Sequence, residues 1–78
     1  MILDIITPES KLFQGEVNSV KFPGTDGSFG VLNNHAPIIS TLTKGTIEVV
    51  DSNNENINFD INGGVIEMQK NKIIVLAD

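Results

Sequence analysis

TIEVVDSNNENINFDI, residues 46–61, is the stretch from which the fold can be read. Ile47 and Val49 alternate with Glu48, and after the polar run Asp51-Ser52-Asn53-Asn54-Glu55 the residues Ile57, Phe59 and Ile61 alternate with Asn58 and Asp60. A period of two puts one set of side chains in a core and the other in water. Two such runs joined by a tight polar connection predict an antiparallel hairpin.

The same grammar extends in both directions. Toward the C-terminus, Asn62-Gly63-Gly64 reads as a turn, Val65–Gln69 as a strand, Lys70-Asn71 as a turn and Lys72–Leu76 as a last strand. Toward the N-terminus, Met1–Thr7 is a β-branched strand closed by Pro8-Glu9-Ser10, and Lys11–Phe22 is extended. Its alternation slips, because Val20 and Phe22 share a face that Val17 does not; a bulge near Asn18-Ser19 reconciles them. No window carries helical periodicity with caps at both ends. These readings predict an all-β domain over residues 1–78, a two-sheet β-sandwich or flattened barrel of about ten short strands. Two sheets are required, since one alone would leave Leu32, Ile47, Val49, Ile57, Phe59, Ile61, Ile66 and Val75 unburied, forgoing about 1.5–3 kcal/mol each.

Composition excludes several classes of function. The formal net charge is −5, arginine is absent and the only basic side chains are five lysines, so the electrostatic term behind nucleic-acid binding is missing. The same deficit, with no basic amphipathic segment, speaks against insertion into a lipid surface. The longest apolar run, Ile73–Ala77, is far shorter than the roughly 20 residues of a membrane-spanning helix. Asp4 stands where a signal peptide would be basic, so the chain is expected to remain in the compartment where it is made. Cysteine is absent, and no disulfide or thiolate metal site supplements the core.

The least repetitive chemistry lies in FPGTDGSFGVLNNHAPIIS, residues 22–40. Phe22-Pro23-Gly24 and Asp26-Gly27-Ser28 read as turns that stop any strand, leaving Phe29–Leu32 as a short one, and Asn33-Asn34-His35 as a turn into Ile38–Leu42. Two polar loops flanking a short apolar strand are where a small β domain carries function. His35 could formally join Ser28, Ser40 or an aspartate in a hydrolytic triad, but no nucleophile elbow or second histidine accompanies it, which favours a turn or contact histidine. Asp51–Glu55 offers oxygens at alternate positions without the glycine or distal glutamate of a calcium loop. Gly24–Ser28 lacks the lysine and helix of a phosphate loop. Small polar groups at Thr25, Ser28, Asn33, Asn34, His35 and Ser40, bracketed by Phe29, Val31, Ile38 and Ile39, suit a protein interface better than a catalytic pocket, and suit ordinary solvated loops about equally.

FGVLNNHAPIIS, with its Gly-x-x-x-x-His-Ala-Pro spacing, taken with Leu3–Thr7, Asn62–Glu67 and Val75–Asp78, resembles the epsilon subunit family of bacterial ATP synthases across nearly the whole chain. The resemblance implies a non-enzymatic, cofactor-free rotor domain that links the gamma subunit to the membrane c-ring during proton-driven ATP synthesis and meets the rest of the catalytic head only indirectly. It implies a peripheral location on the cytoplasmic face of the bacterial inner membrane. The ring-facing loop would be Gly24–Gly30, with Thr25, Asp26, Gly27, Ser28 and Phe29 in contact, although relatives often carry an acid where Ser28 stands. The gamma-facing surface would involve Thr7, His35, Ser40, Asn62 and Glu67. Family members often continue into an inhibitory, ATP-binding helix pair that these 78 residues do not include. The alternatives are a free-standing β-sandwich module for a peptide or glycan, and a small hydrolase built on His35.

Overall fold

The period-two runs become strands, and the computed structural model, which describes Met1–Asp78, contains eight of them and no helix. They are β1 (Ile2–Ile6), β2 (Lys11–Gly24), β3 (Gly27–Leu32), β4 (Ile38–Leu42), β5 (Gly45–Asp51), β6 (Asn56–Ile61), β7 (Gly64–Gln69) and β8 (Lys72–Ala77). The hairpin read from residues 46–61 is β5–β6, with Ile47 opposite Phe59 and Val49 opposite Ile57. Its connection closes around one side chain: Asp51 Oδ1 accepts hydrogen bonds from the backbone N–H groups of Asn53 (2.8 Å) and Glu55 (2.9 Å). Those oxygens thus serve the turn, as Asx chemistry dictates.

Eight strands stand where about ten were expected, one for each extended segment of the sequence, and β2 runs for 14 residues. Phe22-Pro23-Gly24 does not stop it. The backbone carbonyl of Pro23 accepts from Thr43 N at 2.8 Å, on the edge where the β4–β5 connection passes and the β5 ladder has not yet begun, so the missing proline N–H leaves no acceptor unserved. The expected bulge is present: Val17 opposes Asp51 while Ser19 opposes Val50, so Asn18 is the extra residue. Its effect is to bring Val17, Val20 and Phe22 all into the core.

That bent strand belongs to both layers. Its first half pairs with β1, and its second half lies between β3 and β5, with β6 beyond β5. β1 pairs in parallel with β8, β8 with β7 and β7 with β4. Following partners from Lys11 through Ile6, Leu76, Val65 and Thr41 leads to Thr25, just past the far end of β2, through the Thr25 N–H to Thr41 O bond of 3.2 Å. The β1–β2–β4–β7–β8 ring is therefore closed and steeply tilted, with β3, β5 and β6 forming the second layer. Between the layers lie Leu3, Ile5, Phe22, Val31, Ile47, Ile66, Ile73 and Val75, all at 0% exposure. Leu32, expected in this core, is instead 64% exposed. It is the last residue of β3, out of phase with the buried Val31, and the chain leaves the sheet there.

Candidate functional site

Two outer faces result, and their chemistry differs. On the β3–β2–β5–β6 layer the outward residues are polar: Lys21 pairs with Glu48 at 3.9 Å, Thr46 Oγ1 donates to Asp60 Oδ1 at 2.8 Å, and Asn56 and Asn58 lie beside them. A shallow groove runs over Gly30 between Lys21 and Leu32. On the β4–β7–β8–β1 layer the outward residues are largely apolar. Ile39 is 78% exposed and Leu76 56%, with Val65 and Ile2 also exposed and Ile6 and Ile74 half-buried among them. Cross-strand register places Ile39, Glu67, Ile74, Asp4 and Gln14 in one row, and Thr41, Val65, Leu76 and Ile6 in the next. Contiguous exposed apolar surface on a small domain is a mark of an interaction site.

The β2–β3 hairpin ends in a two-residue loop, Thr25-Asp26, between paired Gly24 and Gly27. A Cβ on Gly24 would lie 2.6 Å from the Gly27 carbonyl oxygen and 2.8 Å from the Phe29 ring, so only glycine permits this closure. The loop is fastened to β4 by Thr25 Oγ1 and Thr41 Oγ1, 2.8 Å apart. Of the residues assigned to the ring-facing loop, Thr25, Asp26, Gly27 and Ser28 are exposed. Phe29 turns inward instead, its ring centroid 5.6 Å from that of Phe22, and stiffens the hairpin from beneath.

The five residues assigned to a gamma-facing surface do not form one patch. Glu67 sits in the middle of the apolar face. Thr7, which follows the partner of Leu76, and Asn62, next to the Gly63 carbonyl that accepts from Asp78 N, lie at the end of the molecule that also carries the Thr25 loop. His35 lies at the opposite end, beside Asn34, whose N–H donates to Asn71 Oδ1 at 2.7 Å in the β7–β8 turn. Ser40 opposes the buried Ile66 and points to the inner side of β4, opposite in sense to Glu67. His35 Nδ1 is 2.8 Å from the Ala36 carbonyl oxygen, and Ser40 Oγ donates to Thr41 O at 3.4 Å, so neither is arranged as half of a nucleophile–base pair. No three His, Asp or Glu side chains are grouped to hold a metal ion.

The residues of the apolar face are scattered along the sequence. Ile39, Val65 and Leu76 each neighbour buried residues and read singly as part of apolar runs; only the strand register shows that they adjoin.

The sequence that builds this closed β body matches the model of the ATP synthase delta/epsilon chain β-sandwich domain over residues 1–78. The chain belongs to that family. ATP synthase epsilon chains from Campylobacter curvus and Chlorobaculum tepidum are each 42% identical to it over 76 residues, 97% of this chain. The one from Caulobacter vibrioides is 42% identical over 74 residues, 95% of the chain. This delta/epsilon-type chain spans 59% of the Campylobacter relative, 86% of the Chlorobaculum one and 85% of the Caulobacter one. Its fold recurs in a chain of the Euglena gracilis mitochondrial ATP synthase OSCP/F1/c-ring assembly, with a TM-score of 0.92 at 20% identity over 99% of this chain and 49% of that one. It recurs also in the Tetrahymena thermophila mitochondrial ATP synthase central stalk/c-ring, with a TM-score of 0.79 at 17% identity over 99% of this chain and 62% of that one.

Proposed function

We propose that this domain is a non-catalytic part of the rotor of an ATP synthase, holding the gamma subunit against the c-ring so that the two turn together. The observation that carries the reading is the pairing, on one closed body, of a broad apolar face with a separate, stiffened polar hairpin. Two partners of different chemistry can then be held at once without competing for the same surface. Family membership and the central-stalk and c-ring assemblies in which the fold recurs support the same reading.

The β4–β7–β8–β1 face, with Glu67 at its centre and Thr7 and Asn62 on its rim, is the surface for gamma. The Thr25–Ser28 tip is the surface for the polar loops of the ring, and with Ser28 in place of an acid that contact is made by hydroxyl and backbone groups together with Asp26. His35, at the other end, meets gamma only where gamma reaches past the Asn33–Asn34 turn. The domain would lie at the cytoplasmic face of a bacterial inner membrane, peripheral to the lipid, and touch the catalytic head through gamma. Grip on each partner, rather than any reactive group, sets its performance.

Affinity capture of the tagged chain from detergent-solubilised membranes of its own organism tests this directly. Recovery of both gamma and c subunits is the expected result. Recovery of neither, or of an unrelated peptide- or glycan-bearing partner, would overturn it.

A further inference from the structure

The apolar face carries, on its β1 side, one group that its surroundings do not serve. Asp4 lies between Leu3 and Ile5, both fully buried on the inner side, so its carboxylate is directed to the outer face. There it is only 7% exposed, flanked across the strands by Gln14 and Ile74, and its Oδ1 is buried with no hydrogen-bond partner. A buried carboxylate oxygen without a donor is costly to the isolated fold. Nearby cations do not relieve it: Lys11 Nζ donates to Gln14 Oε1 at 3.2 Å, and Lys72 stands opposite Ile2, one row along, without an ion pair. Glu67 flanks Ile74 on its other side in the same row, and the whole chain carries a net charge of −5. The face thus combines exposed aliphatic area with a desolvated acceptor that no cation of this chain pairs with.

We propose that Asp4 receives an arginine or lysine side chain from the protein that covers this face, an inference that rests on reading the face as the gamma-docking surface. The aliphatic stem of that side chain lies along Ile74 and Ile6 while its charged end reaches Oδ1, forming a charge-assisted hydrogen bond in a site closed to water. Ile39, Val65 and Leu76 supply area that any apolar patch could match. Asp4 supplies register and partner choice, because an apolar partner without the cation would leave the carboxylate buried and alone.

The test is calorimetric titration of purified gamma subunit with the wild-type chain and with Asp4→Asn, at low and high salt, alongside thermal unfolding of each chain by itself. Binding weakened by about tenfold or more, with a shallower salt dependence, and a variant that unfolds at or above the wild-type temperature are the expected results. Replacing the lysines and arginines of gamma singly should then find one whose loss weakens wild-type binding but scarcely affects Asp4→Asn. Equal affinity and equal salt response for the two chains would overturn the role of Asp4 while leaving gamma docking intact. A variant that unfolds well below wild type would show a structural carboxylate and overturn it too. Absence of wild-type binding to gamma would overturn the docking reading, and this inference with it.

Discussion

At Gly64, φ is +154°, and a Cβ there would meet the Leu76 carbonyl oxygen and approach Ala77 Cα to 3.0 Å. Both objections are to backbone, which cannot swing aside, so Gly64→Ala should lower stability by about 2–4 kcal/mol. A shift of the urea midpoint with an unchanged denaturant slope would report it. Asp51→Ala removes the acceptor for two backbone N–H groups and should cost about 1–2 kcal/mol by the same measurement. Both positions could be marked from the sequence, the glycine because it follows another glycine between strands and the aspartate because it opens a polar run. Asp4 could not. Its neighbours on the chain say only that it points away from the core, whereas the residues beside it across the strands, Gln14 and Ile74, come from two different strand pairings.

Among the elements, hairpins read most faithfully, because their two strands and turn are contiguous and their pattern is complete within a short window. β5–β6 and β7–β8 follow their sequence boundaries closely, the latter with Lys70 and Asn71 both at positive φ (51° and 60°), as a two-residue turn with right-handed strand twist requires. β2 runs past the Phe22-Pro23-Gly24 turn that its sequence suggests, because proline is a strand breaker only where its edge needs a donor, and which edge that is depends on β4 and β5. The hairpin tip carries the element-scale prediction. Ser28→Trp adds bulk on an exposed strand position beside Thr25-Asp26 without entering the Phe22–Phe29 contact. The isolated domain should keep its melting temperature within a degree or two of wild type, while recovery of c subunits in the affinity capture falls and recovery of gamma does not. Equal recovery of c subunits would count against placing the tip at the ring.

The molecule as a whole is held by pairing between its two ends, since β1 and β8 align from Ile2–Lys72 to Ile6–Leu76. Neither strand announces the other in sequence; a parallel partner some seventy residues away leaves no local trace, which is why the ring closure, unlike the sandwich class, was not legible. A domain of this size has only about 4–12 kcal/mol of net stability. Removing residues 72–78 takes Ile73, Val75 and Ala77 out of the core and opens the ring, so the remainder should be unfolded by circular dichroism and far-ultraviolet melting. Hydrogen exchange of the intact chain should be slowest in β1, β7 and β8 and fastest in β6 and β3, whose outer edges are unpaired. The parallel sense of the β1–β8 pair has a mechanical corollary. Tension applied between Met1 and Asp78 draws the two strands past each other lengthwise, so their hydrogen bonds must rupture together instead of unzipping from one end. A small body built in this way should withstand stretching along its chain axis far better than its modest thermodynamic stability suggests.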